Sequence, residues 1–408
     1  MKPSEISILD YTYDLPDDRV ALHPLEQRDA SKLLSYKKGK ISEDVFSNIG
    51  DHLPEGCLLV FNNTKVINAR ISFFKSTGAR IEVFCLEPYE SVNEYVTVMS
   101  KTGSVKWKCF VGGAAKWKEE RIQKDIVVNG KPVSLYAARS GKEGEAYIVE
   151  FSWEPADISF AAILQSAGNV PLPPYIKRTT DDEDVSRYQT IFAEHEGSVA
   201  APTAGIHFTE SIFEKLTAKS IQRLFVTLHV GAGTFKPVKA EKMEGHEMHA
   251  EYIDVSRGAI EELLCYETVA AVGTTSLRTL ESLYWLGVKA SLDPSAKQLD
   301  IRQWDVYEPR LRDMALPAKD ALTALLSWME ENGQSNIFTR TQLLIAPGYR
   351  FRIVKILITN FHQPQSTLLL LVAAAIGDDW KKMYAYAMEN GFRFLSYGDG
   401  NVIEVNGE

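Results

Sequence analysis

Cysteine is scarce and scattered. Cys57, Cys85, Cys109 and Cys265 form no CxxC pair, which argues against a zinc knuckle or a disulfide framework and fits a reducing compartment. The N-terminal stretch lacks the apolar core of a secretion signal. The longest apolar run, Leu368 to Ile376, is too short to cross a bilayer. No internal repeat or low-complexity tract is present, and positive charge is in deficit. The 45 Lys and Arg against 54 Asp and Glu leave a net charge of −9, so nucleic acid is repelled on average and an RNA partner needs a local basic patch. What remains is ordinary globular composition, 45% hydrophobic and 24% charged. The 408 residues suffice for two or three domains, or for one large domain with an insertion. A cytoplasmic protein without membrane contact is expected.

One window runs against the overall charge. Residues 101–131 hold Lys101, Lys106, Lys108, Lys116, Lys118, Arg121, Lys124 and Lys131 against Glu119, Glu120 and Asp125, a surplus of five positive charges. Trp107 and Trp117 lie among these lysines, as a base-stacking surface requires. The plainer reading is a solvated hairpin face with half-buried tryptophans, and charge alone favours it.

Between Ile71 and Trp153 the chain reads as short β-prone runs: Ile81 to Leu86, Tyr95 to Met99, Trp107 to Val111, Ile126 to Val128 and Ala146 to Phe151. The Asn129-Gly130 pair is a hairpin signal. Little helix separates these runs, which predicts a small antiparallel barrel or sandwich inserted into another fold. Before it, Cys57 to Phe61 reads as a buried strand. After Asp157 the pattern alternates: strands at Leu224 to Val230, Val269 to Val272 and Ile353 to Ile358, helices through Leu280, Leu283 and Leu286, from Ser366, and over Ala318 to Met329. Such alternation predicts an α/β sheet of largely parallel strands, with its site beyond their carboxyl ends.

Five of the eight histidines sit in short polar motifs. In Ala200 to Phe208, Pro202 and Gly205 suggest a tight turn projecting Thr203 and His207 before a helix capped by Thr209. In Val226 to Phe235, alternation puts Thr227, His229 and Gly231 on one face. Gly231 and Gly233 there permit close backbone approach by a ligand, with Thr234 beside them. The segment His246-Glu247-Met248-His249-Ala250-Glu251 would pair both imidazoles on a helix, or His249 with Glu251 if extended. It is not HExxH and has no cysteine nearby, so a proton-handling or substrate-binding pair is expected rather than a metal. At Gly273 to Arg278, amides and the hydroxyls of Thr274, Thr275 and Ser276 gather at a helix start. With Arg278 one turn in, they form a receptor for a carboxylate or phosphate. Asn360 and His362 occupy a Pro-containing loop before an apolar helix, and Ser396-Tyr397-Gly398-Asp399-Gly400 is a polar turn. Ordinary capping, or a histidine bonded to a carbonyl, remains the plain alternative for each motif alone.

Together these motifs resemble one family, the S-adenosylmethionine:tRNA ribosyltransferase-isomerases of queuosine biosynthesis. The resemblance also runs through Tyr13-Asp14-Leu15-Pro16, Arg28-Asp29-Ala30-Ser31, Phe61-Asn62-Asn63-Thr64-Lys65-Val66, Ala69-Arg70, Val170 to Ile176 and Arg187-Tyr188-Gln189-Thr190, in colinear order. Asn63 stands where the family usually carries aspartate. The resemblance implies an α/β main domain over 1–70 and 154–408, with a mixed, largely parallel sheet, and an inserted small antiparallel β-barrel over 71–153. It implies that S-adenosylmethionine donates its ribose to the aminomethyl group of a 7-deazaguanine in tRNA. Rearrangement then gives epoxyqueuosine, and adenine and methionine leave. No metal or further cofactor is implied, and a monomer is expected.

This chemistry removes a proton beside the sulfonium and delivers one to adenine, steps suited to groups titrating near neutrality. The candidates are His207, His229, His246, His249 and His362. For substrate binding they are Asn62, Thr64, Arg70, Thr203, Gly205, Gly231, Gly233, Thr234, Glu251, Thr274, Thr275, Ser276, Arg278, Asn360, Tyr397 and Asp399. The Thr274-Thr275-Ser276 turn with Arg278 is the expected carboxylate receptor. Tyr175 and Tyr188 are stacking candidates, and Lys106, Lys108, Lys116 and Lys118 are expected to meet tRNA. The alternatives are a family member with another acceptor, a non-catalytic tRNA- or nucleoside-binding module, and a metal hydrolase built on the His246 segment.

Overall fold

A computed structural model describes residues 2–89, 95–231, 238, 240–314 and 316–406. Nine strands form the main sheet, in the spatial order Asn336–Thr341, Glu251–Ser256, Gln222–His229, Leu58–Asn62, Val269–Val272, Val354–Asn360, Gly400–Glu404, Lys32–Lys37 and Lys40–Val45. The four central strands, from Gln222–His229 to Val354–Asn360, are mutually parallel. The flanks are mixed, and four of the eight pairings are antiparallel. The sheet is mixed, as expected, but only half of its pairings are parallel: the three at its centre and the one between Gly400–Glu404 and Lys32–Lys37. One edge is a hairpin, Lys32–Lys37 with Lys40–Val45, and the C-terminal strand Gly400–Glu404 returns antiparallel to Val354–Asn360 after the helices Thr367–Ile376 and Asp379–Glu389.

Both faces of the central strands are covered, which explains their continuous apolar runs. Leu58 and Val60 point into one core with Leu277, Leu280 and Tyr284, while Leu59 and Phe61 point into another with Phe208, Phe213 and Leu216. The helix Thr274–Leu292 is buried along most of its length between the sheet and the helix Ala318–Glu331. Gly287 permits that contact, because a Cβ there would lie 2.0 Å from the Ala321 carbonyl oxygen. Buried Glu281 accepts hydrogen bonds from the amides of Arg352, Ile353 and Val354 and from the Tyr349 hydroxyl, anchoring the start of the strand that carries Asn360.

The second sheet is antiparallel throughout, in the order Gly168–Asn169, Arg70–Phe74, Arg80–Pro88, Ser104–Gly112, Ala146–Glu154, Lys131–Glu143 and Arg121–Val128. It curls but does not close into the expected barrel: among the described residues its first and last strands share no ladder. The helix Phe160–Ala167 contributes Phe160, Ile163 and Leu164 to its core, and the Lys124 ammonium bonds the Ala167 carbonyl at 2.6 Å. Asn129 (φ 50°) and Gly130 (φ 79°) make the hairpin turn foreseen from their pairing.

Tyr95 to Met99 belong to a helix, Tyr95–Ser100, rather than a strand. Consecutive Val98 and Met99 are both buried, which a strand's alternation does not allow on a one-sided surface. Trp107 and Trp117 are 0% and 1% exposed and fill the core of the second sheet, so they present no stacking surface. Among the described residues no helix is long and apolar enough to cross a membrane.

Candidate functional site

A cleft opens beyond the carboxyl ends of the central strands, where three loops meet. The first runs from Ala200 to Ala204, the second from Gly273 to Thr275, and the third from Thr359 to Thr367. Each begins or ends a regular element, so side chains there are held by rigid secondary structure. The segment 246–251, Tyr175, Tyr188 and Ser396 complete the walls. Of the candidates named from sequence, Thr203, His246, His249, Glu251, Thr274, Thr275, Arg278, Asn360 and His362 line this one cleft, as do both stacking candidates, Tyr175 and Tyr188.

The segment holding His246 and His249 is extended, not helical, and Glu251 opens the strand Glu251–Ser256. Gln303 straps it by donating to the His246 carbonyl at 2.7 Å and accepting from the Met248 amide at 2.9 Å. Gln342 donates to the Met248 carbonyl at 2.8 Å. Among the described residues no three His, Cys, Asp or Glu side chains are placed to share a metal ion.

Arg278 is held on two sides. Its Nε donates to the Leu343 carbonyl at 3.0 Å, and its Nη1 is ion-paired with the Glu251 carboxylate. Both side chains are over nine-tenths buried. Its Nη2 has no hydrogen-bond partner among the described residues, and neither do Thr275 Oγ1 and Asn360 Oδ1. Buried polar atoms are rarely left unmet. Here three residues that line one cleft each carry a buried polar atom without a partner among the described residues.

His207 stands behind the cleft wall. Its Nε2 meets the Asn360 side-chain amide at 3.1 Å and its Nδ1 meets Ser31 Oγ at 3.0 Å, so with the amide donating to Nε2 the ring proton lies on Nδ1. His362 Nε2 contacts Thr359 Oγ1 at 3.0 Å. Burial pushes His207 down to about 4 and His362 to about 3. His229, off the cleft beside Thr64 Oγ1 at 3.4 Å, is likewise pushed to about 4 by burial and by neighbouring His195. These three rings therefore do not titrate near neutrality. Burial, then the charge of His249, lowers His246.

Other candidates are engaged elsewhere. Asn62 clamps two strands, donating to the Leu228 carbonyl while its Oδ1 accepts from the Thr64 and Leu228 amides. Asn63 accepts from Thr227 Oγ1 at 2.8 Å and donates to Glu194. Ser276 Oγ donates to the carbonyl of Val272, the last residue of the strand before its helix. Tyr397 donates to Asp184, which Arg178 grips with two nitrogens, and Asp399 accepts from the Lys32 and Arg393 amides. Gly205 leaves no room for a ligand, because Phe192 and Thr190 already lie 2.8 and 2.9 Å from where its Cβ would be. Gly231 is partly exposed beside Val230, a cleft residue. Gly233 and Thr234 lie outside the described residues.

Arg70 sits on the second sheet, paired with Glu82 at 3.0 Å and stacked over Phe84. Lys106 and Lys108 share the outward face of the strand Ser104–Gly112, and Lys108 is paired with Glu87 and Glu143. Lys116 and Lys118 are exposed. Sequence reading passed over Thr359 and gave Ser31 no role. Ser396 Oγ meets the Tyr175 hydroxyl at 2.6 Å at the cleft wall. The signal for Thr359 was its place at the end of a parallel strand, next to Asn360.

A family model described as queuosine biosynthesis protein matches residues 8–403. A Chelativorans sp. (strain BNC1) protein named S-adenosylmethionine:tRNA ribosyltransferase-isomerase is 39% identical over 411 residues, covering 96% of this chain and 97% of its own. The crystal structure of an S-adenosylmethionine tRNA ribosyltransferase from Thermotoga maritima is 26% identical, covers 97% of this chain and 99% of its own, and has a TM-score of 0.44. With the match spanning both sheets and every cleft loop, the chain belongs to the queuosine biosynthesis family of S-adenosylmethionine:tRNA ribosyltransferase-isomerases.

Proposed function

We propose that this enzyme transfers the ribosyl group of S-adenosylmethionine to the aminomethyl group of 7-aminomethyl-7-deazaguanine in tRNA and isomerises it, giving epoxyqueuosine with release of adenine and methionine. Family membership supports the reaction. The observation that supports its placement is that Thr275, Arg278 and Asn360, whose Oγ1, Nη2 and Oδ1 have no partner among the described residues, all line the cleft at the sheet's carboxyl end. Such a cleft is where an α/β sheet receives a nucleoside.

In this reading the start of the helix Thr274–Leu292, with Thr274, Thr275 and Arg278, receives the donor's carboxylate. Asn360 accepts from a ribose hydroxyl or the adenine amine. His207 fixes the Asn360 amide from behind and is a positioning residue. His362 stays neutral at physiological pH and serves as a hydrogen-bonding group. Proton handling falls to His246 and His249, which keep more access to water at the rim. Tyr175 and Tyr188 offer aromatic faces to the adenine or the acceptor base.

The division into a main unit (1–70 and 154–408) and an insert (71–153) belongs to the same proposal, with the helix Phe160–Ala167 as the insert's packed neighbour. Lys116 and Lys118 are its electrostatic contacts with tRNA, and Lys106 and Lys108 a lesser contribution. A monomeric, cytoplasmic enzyme needing no cofactor beyond its donor completes it. The test is mass spectrometry of the tRNA base after incubation with S-adenosylmethionine, with adenine measured in parallel. Adenine release that depends on tRNA carrying the deazaguanine supports the reading. An unmodified base and no adenine would reject it.

A further inference from the structure

We propose that Gln303 is a positioning residue for the reaction, its carboxamide holding the segment that carries His246 and His249 in the course that places both on the cleft. The inference rests on the proposed function, and it gives a role to the stretch between the helices Thr274–Leu292 and Ala318–Glu331.

His246, Met248 and His249 line the cleft, yet they lie outside the ladders of the strand that follows them. That strand pairs with Asn336–Thr341 from Glu251 onwards and with Gln222–His229 from Tyr252 onwards. Residues 246–250 thus have no ladder partner among the described residues, and an extended chain without one keeps conformational freedom that scatters its side chains. A side-chain amide carries the same N–H donor and C=O acceptor as a peptide unit. Gln303 uses both, donating to the His246 carbonyl at 2.7 Å and accepting from the Met248 amide at 2.9 Å. Groups two residues apart lie on one edge of an extended chain, so this single carboxamide stands in for a residue of a neighbouring strand.

Gln303 is itself fixed on both sides, and it is buried. Two residues before it, Ile301 bridges to the strand Asn336–Thr341, donating to the Arg340 carbonyl at 3.1 Å and accepting from the Gln342 amide at 2.8 Å. Two residues after it, Asp305 accepts from the Arg302 amide at 3.0 Å and is ion-paired with Lys289 at 2.5 Å. Lys289 belongs to the helix Thr274–Leu292, which also brings Thr274, Thr275 and Arg278 to the cleft. The strap therefore ties the two histidines to the same helix that holds the proposed carboxylate receptor. Proton transfer depends on that spacing, since a misplacement of about 1 Å costs roughly 100-fold in rate.

The test compares the whole wild-type enzyme with Gln303→Met, which keeps the length of the side chain and removes both bonds. Three quantities are read: kcat of tRNA-dependent adenine release, the Kd and stoichiometry of S-adenosylmethionine binding, and hydrogen exchange at the Met248 amide. In Gln303→Met, kcat should fall roughly 10- to 100-fold while S-adenosylmethionine binds with unchanged stoichiometry and a Kd within about threefold. The Met248 amide should exchange at least about tenfold faster. Gln303→Glu keeps the acceptor for Met248 and loses the donor for His246; its kcat should fall too, and it decides the matter if Gln303→Met folds poorly. A fall in kcat that only tracks the fraction of protein still binding S-adenosylmethionine marks a merely structural contact and overturns the inference. So does a kcat within about twofold of wild type, or an unchanged Met248 exchange rate in Gln303→Met. A wild-type enzyme that releases no adenine rejects the proposed reaction and this role with it, whereas turnover by wild type and variants at equal kcat rejects this inference alone.

Discussion

Replacing Thr275 with valine exchanges a hydroxyl for a methyl of nearly the same shape at a place where the hydroxyl oxygen has no partner among the described residues. Leaving a buried polar group unmet costs about 1–3 kcal/mol, so its removal should stabilise the ligand-free enzyme by roughly that amount. The backbone should tolerate the change, because Thr and Val have similar helix propensities. Donor binding should move the opposite way. A hydrogen bond to a charged group contributes about 1.5–3 kcal/mol, which converts to roughly 10- to 100-fold in affinity for S-adenosylmethionine. Urea denaturation without ligand reads the first effect, and the KM of tRNA-dependent adenine release reads the second. A variant that is less stable than the parent, with unchanged KM, would refute the argument that this oxygen is reserved for a ligand.

Acidification provides a second check. His207 and His229 are held at about 4 and His362 at about 3, against about 6.5 in an unfolded chain. Below pH 6.5 the unfolded chain takes up protons that the folded protein refuses, so stability is flat above pH 7 and falls towards pH 4. At pH 5 the loss is about 2 kcal/mol per histidine. Urea midpoints at pH 7.5 and 5 should show it, and His207→Gln should reduce the slope; identical slopes would contradict the assignment. Changing Lys116 and Lys118 to glutamate should weaken tRNA binding and reduce the salt dependence by about one unit per lost phosphate contact. An unaltered slope in filter binding would leave these lysines as a solvated face. Trp117→Ala should destabilise the protein by about 3–5 kcal/mol through the cavity it leaves, without altering the tRNA affinity of the folded enzyme. Reduced affinity at unchanged stability would restore a stacking role for this residue.

Local chemistry alone determined a good deal of this molecule. Apolar runs broken by Gly and Asn marked the central strands, Thr209 and Ser366 marked helix starts that their side chains do cap, and Asn129-Gly130 marked a hairpin. These features depend on a few neighbouring residues, so a linear reading can capture them. The ordered motifs likewise gave the family, because their sequence along the chain is itself specific. What side chains face was decided by packing between distant segments. Tryptophans interleaved with lysines look the same in sequence whether the rings point outward or into a core, and here Trp107 and Trp117 point inward. Asn62 and Asn360 both end parallel strands, yet the side-chain oxygen of one accepts from the Thr64 and Leu228 amides and that of the other has no partner among the described residues. The ion pair between Arg278 and Glu251 needed the sheet to bring strand and helix together. Hydrogen-bond partners and desolvation are properties of the assembled fold, and they determine which of the polar residues visible in sequence are left to act on a ligand.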